Sequence, residues 1–191
     1  MDRPDVRQIS DSRVLAAMSH PLRRRLMDVL KVHGPSTVGL LAERTDQAPA
    51  NVSHHLKVLA AADLVTEAPE FARDRRERWW RLVNRALRWS NVDFDADPAD
   101  RAVADAATSL NLDRHVALAR AWHAADETTQ ATWNDAPFST DHWLRLTPEE
   151  LAELSREMID LLRRWADRDL PDDDADRRTV FVFVHGVPAR P

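Results

Sequence analysis

The sequence contains no cysteine, and this absence removes several classes of chemistry at once. Disulfide bonds, thiolate metal sites and cysteine nucleophiles are excluded, which fits a protein of the cytoplasm. No apolar run approaches the roughly 18 residues that a membrane span needs, and the first ten residues lack the apolar stretch of a signal peptide. We therefore expect a cytoplasmic protein with no membrane partner.

Glycine is also scarce, with 3 residues in a chain of 191. The sequence has no phosphate-binding loop or dinucleotide fingerprint, and neither H-E-x-x-H nor G-x-S-x-G occurs. The many aspartates lie in connecting segments, where they are typical of solvated surface rather than of a catalytic pair. The sequence predicts a protein that is not an enzyme and that needs no cofactor.

Positive and negative charges are divided unevenly along the chain. Residues 1–90 carry 16 Lys/Arg and 11 Asp/Glu, a balance of +5, whereas residues 91–191 carry 11 and 21, a balance of −10. The net charge of −5 therefore hides a basic first half. This asymmetry is expected when one part of a chain meets phosphate and the other does not.

Apolar residues at helical spacing predict four helices in the first half of the chain. The starts of these helices are marked by residues that favour helix N-termini: Asp11, Pro21, Ser36 or Thr37, and Pro49. The spacing then changes to that of two strands, residues 64–66 and 77–83, joined by a polar loop. Helices followed by a hairpin in this order indicate a winged helix-turn-helix, with the hairpin as the wing.

The second half predicts a smaller, acidic and mainly helical domain. Residues 90–110 are interpreted as an acidic connector, followed by a helix over 112–125 and another from Thr147 to about residue 168. The apolar residues 180–184 predict a strand that pairs near residues 91–94 or across a dimer. The fold class is thus α+β, with a winged helix-turn-helix in residues 1–90 and a dimerisation domain in 91–191 that ends in a strand.

The fourth predicted helix separates its side chains into two faces. Val52, Leu56 and Leu59 share one face, which suits a small core. Small and hydrogen-bonding side chains occupy the other face and the first turns, where a recognition helix enters the major groove. The candidate DNA contacts on this helix are Ala50, Asn51, Ser53, His54 and Lys57.

Four segments in order resemble the DNA-binding domain of ArsR-type winged-helix repressors. They read VLAAMSHPLRRRLMDVL, LLAERTD, NVSHHLKVLAAADLV and RWWRLV, and they span about residues 10–85. The resemblance implies a dimeric repressor that binds double-stranded DNA, with Ser53 and His54 at the bases. It also implies that three wing arginines touch phosphate or the minor groove: Arg73, Arg75 and Arg76.

Several residues near this motif have a structural interpretation beside the functional one. His55 lies at the predicted core edge and is interpreted as a packed or capping histidine. One of Trp79 and Trp80 is expected in the core and the other at a domain or dimer contact. The run from Arg23 to Arg25 fits a solvated helix face as well as a phosphate patch.

Three alternatives remain beside a plain DNA-binding repressor. The segment that carries metal-binding cysteines in many ArsR-type proteins has none here, and a His/Asp metal-responsive repressor would depend on Asp113, His115 and His123, whose spacing does not match. A winged helix used for protein contacts is the second alternative. Tryptophans of the second half suit a core and dimer interface, or a pocket for a small organic effector lined by Trp122, Trp133 and Trp143.

Overall fold

The computed structural model describes residues 6–74 and 77–190. Its internal contacts divide the chain into two units, Met1–Arg114 and His115–Pro191. The sequence prediction places the division at residue 90, whereas residues 91–114 group with the first unit in the structure.

Among its described residues, the first unit contains five short strands and five helices, the last of which continues into the second unit. In chain order these elements are β1 (Val6–Gln8), α1 (Ser12–Met18), α2 (Pro21–His33), β2 (Ser36–Thr37), α3 (Val38–Thr45), α4 (Pro49–Ala61), β3 (Val65–Glu67), β4 (Trp79–Leu82), β5 (Ala86–Arg88) and α5 (Pro98–His123). Two short 3₁₀ turns, Pro69–Phe71 and Asn91–Phe94, lie beside β3 and before α5.

The helix boundaries follow local capping chemistry that is visible in the sequence. The Asp11 carboxylate accepts from the Arg13 backbone N–H at 2.9 Å before α1, and the Thr37 hydroxyl accepts from the Leu40 N–H at 3.2 Å before α3. Gly34 ends α2 with a φ of 71°, a conformation that glycine adopts without steric penalty. These starts and stops agree with the predicted ones.

The core of the first unit is formed mainly by the inner faces of α1 to α4. Leu26 of α2, Leu41 of α3 and Val52, Leu56 and Leu59 of α4 are completely buried. Each buried leucine contributes roughly 1.5–3 kcal/mol of transfer free energy relative to an exposed one. The core therefore fixes which face of α4 points outward.

A three-stranded antiparallel sheet packs beside these helices. Its order is β2-β4-β3, with Val65 opposite Leu82 and Ser36 opposite Trp80. Trp80 is buried and Trp79 is half-buried, since successive residues of a strand point to opposite faces. The helices and the β3–β4 hairpin confirm the predicted winged helix-turn-helix, and β2 adds a strand that the sequence analysis missed.

A second, parallel pair of strands was also missed. β1 pairs with β5 in the register Val6 opposite Ala86 and Gln8 opposite Arg88. Ile9 follows β1 and is almost completely buried. The segment before α1 therefore belongs to the winged-helix unit.

The expected acidic connector over residues 90–110 is wrong in its second half, because α5 begins at Pro98. Asp97 accepts from the Ala99 backbone N–H at 2.7 Å, and Asp100 lies in the first turn. Acidic residues stabilise a helix N-terminus, so this cluster starts a helix instead of linking two domains. Ala104 and Ala107 of α5 are buried in the core of the first unit.

The second unit contains the end of α5, then α6 (Glu127–Trp133) and α7 (Pro148–Ala166). α7 begins at Thr147 with a capping box: the Thr147 hydroxyl accepts from the Glu150 N–H at 3.2 Å, and the Glu150 carboxylate accepts from the Thr147 N–H at 2.7 Å. This start is the one that the sequence predicts. The sequence analysis does not predict α6.

The predicted strand over residues 180–184 is wrong, since these residues are described and form no strand. The rings of Phe181 and Phe183 lie 5.4 and 5.2 Å from the ring of His115. The expected pairing partner, Asn91–Phe94, forms a 3₁₀ turn. The observed contacts of this segment are therefore ring contacts, and most of its apolar side chains stay exposed.

None of the helices in the described residues is both long and apolar enough to cross a membrane.

Candidate nucleic-acid interface

The outer face of α4 is open to solvent over its first two turns. Ala50, Asn51, His54 and Lys57 are exposed, and Ser53 is half-buried. The core residues of the same helix occupy the opposite side, so the helix cannot rotate without exposing leucines. The structure thus brings all five predicted contacts of α4 together on one surface.

The turn between α3 and α4 shapes the start of that surface. Asp46 adopts a left-handed conformation with a φ of 53°, which ends α3 and allows α4 to leave in a new direction. The Thr45 hydroxyl donates to the Leu41 carbonyl at 2.6 Å and is buried beneath the turn. The turn is therefore fixed by the backbone and by one buried hydroxyl.

Gln47 is a member of this surface that the sequence analysis missed. Its amide oxygen accepts from Asn51 Nδ2 at 3.0 Å, and its own Nε2 donates to the Asp46 carbonyl at 2.7 Å. These bonds orient the Asn51 amide at the start of α4. The available signal in the sequence was a glutamine four residues before an asparagine.

Ala48 precedes α4 and offers no side-chain cap, and Pro49 occupies the first turn. The first turn also contains no acidic residue. The amide groups at this end are thus left to solvent or to a ligand, and a helix N-terminus of this kind favours a phosphate oxygen.

The rings of three histidines, His20, His54 and His55, lie close together at α4. The ring centroids of His20 and His55 lie 4.5 Å apart, and those of His54 and His55 lie 5.3 Å apart. His55 is 8% exposed, and its buried Nδ1 has no hydrogen-bond partner within the described part of the chain. Burial lowers the pKa of His55, and positive charge on His20, Arg23 or His54 would lower it further. His55 is therefore a packed, neutral residue, as the sequence analysis expects.

The wing carries both signs of charge. Arg73 is exposed, and its backbone N–H donates to the Glu77 carboxylate at 3.0 Å, which lowers the pKa of that carboxyl. At the base of the wing, Arg78 lies 3.6 Å from Glu67 and Arg81 lies 3.7 Å from Glu70. The predicted contacts Arg75 and Arg76 lie outside the described residues.

The three consecutive arginines of α2 bind the protein itself. The Arg23 guanidinium donates to the carbonyls of Ala16 and Ala17, near the end of α1. Arg24 donates to Asn111 Oδ1 at 2.9 Å, and Arg25 lies 3.4 Å from the Arg44 carbonyl. These contacts favour a structural role over a phosphate patch.

The other end of α4 is held by Arg7, a residue without a predicted role. Its guanidinium donates to the carbonyls of Asp63 at 2.7 Å and Ala62 at 3.2 Å. These carbonyls follow the last turn of α4, where a cation interacts favourably with the helix dipole. β1 therefore anchors the helix that presents the candidate site.

The second unit places the three tryptophans of the predicted effector pocket in different settings. Trp122 and Trp133 are half-buried, whereas Trp143 is 67% exposed. No ring contact joins any two of them in the part of the chain that the structure describes. The effector pocket stays a prediction.

His115 of the second unit packs between aromatic rings of its own unit, as described above. Across the described residues, no three His, Asp or Glu side chains lie close enough together to hold a metal ion.

Comparison with known proteins matches residues 18–68 to the family described as a helix-turn-helix domain. The transcriptional repressor SdpR of Bacillus subtilis (strain 168) is 37% identical over 54 residues, which is 28% of this chain and 59% of that protein. The match therefore spans about three fifths of the length of this relative.

Two solved structures show weaker likeness. One is the solution structure of a homodimeric winged helix-turn-helix DNA-binding domain from Mycobacterium bovis, a possible ArsR-family transcriptional regulator, with 20% identity over 60% of this chain and 83% of that one and a TM-score of 0.36. The other is the crystal structure of a possible transcriptional regulator for arsenical resistance, with 32% identity over 55% of this chain and 93% of that one and a TM-score of 0.32.

The family match covers the two helices and the turn that present the candidate site, and the hairpin follows directly. Residues 18–68 of this chain therefore match a helix-turn-helix domain, and the β3–β4 hairpin gives the first unit the plan of a winged helix-turn-helix.

Proposed function

We propose that this protein is a sequence-specific DNA-binding transcriptional regulator that acts as a homodimeric repressor. One observation carries the proposal: α4 buries Val52, Leu56 and Leu59 while it exposes Asn51 and His54 at its N-terminal end. Small and hydrogen-bonding side chains at this end of a second helix are the means by which a helix-turn-helix reads the major groove. The name of the related protein supports repression.

The residues of this face have separate roles in the proposal. Ser53 and His54 would form hydrogen bonds with base edges, and Gln47 would hold Asn51 in position beside them. Lys57 and the uncapped start of α4 would bind phosphate, which fixes the helix in the groove without reading sequence. Arg73 and its neighbours Arg75 and Arg76 would follow the adjacent backbone or minor groove.

Two copies would place their α4 helices in two half-sites about one helical turn apart. Binding over a promoter would block transcription. A small organic effector near Trp122, Trp133 or Trp143 would change the distance between the two recognition helices and so weaken binding. Quenching of tryptophan fluorescence in a ligand screen tests this part separately.

The central test removes the two predicted base contacts together. Selection of bound sites from random DNA supplies the target, and gel retardation measures the affinity of the Ser53→Ala/His54→Ala variant. We expect a loss of at least about 30-fold for the selected site, because two base contacts are removed and each contributes roughly 1–3 kcal/mol, with little change for random DNA.

The matched control is Ser139→Ala/His142→Ala, which changes the same residue types at two exposed positions of the second unit. This variant should bind like the parent. An equal loss in both variants, or an unchanged sequence preference in the first, would refute the assignment of α4. A parent protein that retards no DNA at physiological salt would favour a winged helix used for protein contacts.

A further inference from the structure

α7 carries an apolar stripe that the described residues of its own unit cover only in part, with Leu151, Leu154 and Met158 half-buried. Leu151, Leu154, Met158, Leu161 and Trp165 follow one another at alternating intervals of three and four residues. This is the heptad spacing with which two helices pack along a common seam. At 1.5 Å per residue, the stripe extends over about 21 Å from Leu151 to Trp165.

The exposure of the stripe rises toward the end of the helix. Leu161 is 38% exposed and Trp165 is 60% exposed, and no residue of α7 is buried. Near the start of the helix, Leu151 lies close to Gly186, a residue of the segment that follows α7. A Cβ atom on Gly186 would lie 3.4 Å from the Leu151 side chain. An amphipathic helix of this kind normally buries its apolar face against another element.

The second unit has no other core to which the stripe belongs. Among its described residues none is buried, although several large apolar side chains are present. The intrinsic start of α7 is nevertheless strong, because its capping box and Pro148 favour the helix without help from packing. α7 is thus a well-formed helix whose apolar face is only partly covered by the described residues of its own unit.

Charge along α7 indicates the partner. The first turn contains Glu149 and Glu150, and the last turn contains Arg163 and Arg164. A second α7 in the opposite direction places the acidic start of each helix beside the basic end of the other. A parallel pair would place like charges together, which is unfavourable. The antiparallel arrangement also opposes the two helix dipoles favourably.

On the helix surface, Glu150 and Arg164 flank the same side of the stripe. Seven-residue steps relate Glu150, Glu157 and Arg164, so all three line one edge of the seam. In an antiparallel pair with its centre near Met158, Glu150 of one copy faces the region of Arg164 of the other. The same patch then serves both copies, as a two-fold axis requires.

We infer that α7 is an interaction surface for a second copy of this chain, and that two α7 helices pair antiparallel about a two-fold axis near Met158. This inference takes from the proposed function only that the protein is a homodimer, and it gives that dimer a contact in the C-terminal unit. The test of α7 pairing needs no DNA. Failure of α7 pairing therefore does not imply failure of DNA binding, and the reverse also holds.

The first experiment measures the dimer dissociation constant of the full chain by sedimentation equilibrium. Met158→Glu places two carboxylates at the centre of the seam and should raise the constant at least about tenfold. Ala152→Glu adds the same charge on a flank of the same helix, outside the apolar stripe, and should change it less than about twofold. Circular dichroism checks that both variants keep the helix content of the parent.

The second experiment tests the orientation and uses the absence of native cysteine. Ser155→Cys and Ala166→Cys each introduce a single thiol on the same flank of α7. In the antiparallel pair the two copies of residue 155 lie roughly 9 Å apart along the axis, and those of residue 166 roughly 24 Å. A short bis-maleimide should therefore link Ser155→Cys dimers and leave Ala166→Cys chains unlinked.

Each outcome decides between the alternatives. A monomeric parent, or a Met158→Glu variant that dimerises like the parent, overturns the inference. Efficient linking of both cysteine variants would show a parallel pair and overturn the orientation. If these tests succeed while the parent binds no DNA, the proposed function fails and the inference stands.

Discussion

His54 and His55 are adjacent in the sequence but have opposite surroundings. His54 is exposed on the candidate DNA-binding face, whereas His55 is packed against His20 near the guanidinium of Arg23. The charged groups that shift the pKa of His55 are His20, Arg23 and His54, and none of them is a carboxylate. A proton on His55 would therefore add a positive charge that these neighbours do not balance. The stability of the first unit should depend on this proton.

We predict that the free energy of unfolding falls as the pH drops from about 7 to about 5. The pKa of His55 is lowered in the folded state, so the unfolded chain binds the proton first, near the ordinary histidine value of about 6.5. The stabilising contribution is complete above that value and is lost as the pH falls through the lowered pKa. Urea unfolding of the parent and of His55→Gln at several pH values measures the difference.

The matched control for this prediction is His33→Gln, at an exposed histidine at the end of α2. Its unfolding free energy should follow the pH dependence of the parent. The His55→Gln variant should show a shallower dependence, even if it is less stable at pH 7. Parallel curves for the parent and His55→Gln would contradict the role given to burial.

At the scale of elements, the described arginines of the wing are all exposed, and Arg78 and Arg81 differ from Arg73 in lying close to carboxylates. Arg78 and Arg81 lie within 4 Å of Glu67 and Glu70, so part of their charge is already balanced. Arg73 engages Glu77 through its backbone N–H, which leaves its side chain available for a phosphate. The proposed contribution of the wing to DNA binding should therefore be uneven.

We predict that Arg73→Ala reduces the salt dependence of DNA affinity by about one phosphate contact, a change of roughly 0.9 in the slope of log K against log salt concentration. Arg78→Ala should change the slope less, because Glu67 offsets its charge. Fluorescence anisotropy with the selected site at four salt concentrations gives both slopes. A larger effect for Arg78→Ala than for Arg73→Ala would contradict this picture of the wing.

The sequence predicted those elements whose ends are set by local chemistry. Asp11, Thr37 and Thr147 cap helices through side chains that lie one to three residues from the groups they bind. The two faces of α4 were also predictable, since the helical period alone separates Val52 from His54.

Elements that depend on distant partners were not predictable in this way. β1 and β5 have three residues each and lie about 80 positions apart in the sequence. They pair in parallel, so no hairpin turn joins them directly and signals the pairing. Arg7 binds carbonyls 55 and 56 positions away, and no local pattern indicates such a contact. At residues 180–184 a strand was predicted that does not form. These residues have high strand propensity, but no strand of the described residues pairs with them.

The start of α5 was not predicted, because the aspartates of residues 90–110 were interpreted from their number and not from their positions near Pro98. Aspartates at 97 and 100 resemble a solvated linker, yet they stabilise the start of a helix. Within that helix, Arg101 pairs with Asp105 one turn later at 3.0 Å. An acidic cluster beside a proline is therefore typical both of a solvated linker and of a helix start. The buried side chains of Ala104 and Ala107 show that the helix start is correct here.

For the whole molecule, the two proposed surfaces give one mechanism for affinity. Each α4 reads one half-site, and paired α7 helices hold two copies together, so that binding of the first copy raises the local concentration of the second. The basic first half and the acidic second half of the chain suit this division, because phosphate attracts one and repels the other.

The loss of α7 pairing should therefore weaken binding to a full operator and spare a single half-site. We predict that Met158→Glu reduces affinity for DNA with two half-sites by about 10- to 100-fold, because the second binding event is no longer intramolecular. Affinity for a single half-site should stay within about twofold of the parent, since α4 and the wing are unchanged. Ala152→Glu should resemble the parent on both DNAs, and gel retardation with the two DNAs measures all six affinities. An equal loss on both DNAs for Met158→Glu would show that α7 acts on the recognition surface itself, because avidity alone affects only the DNA with two half-sites.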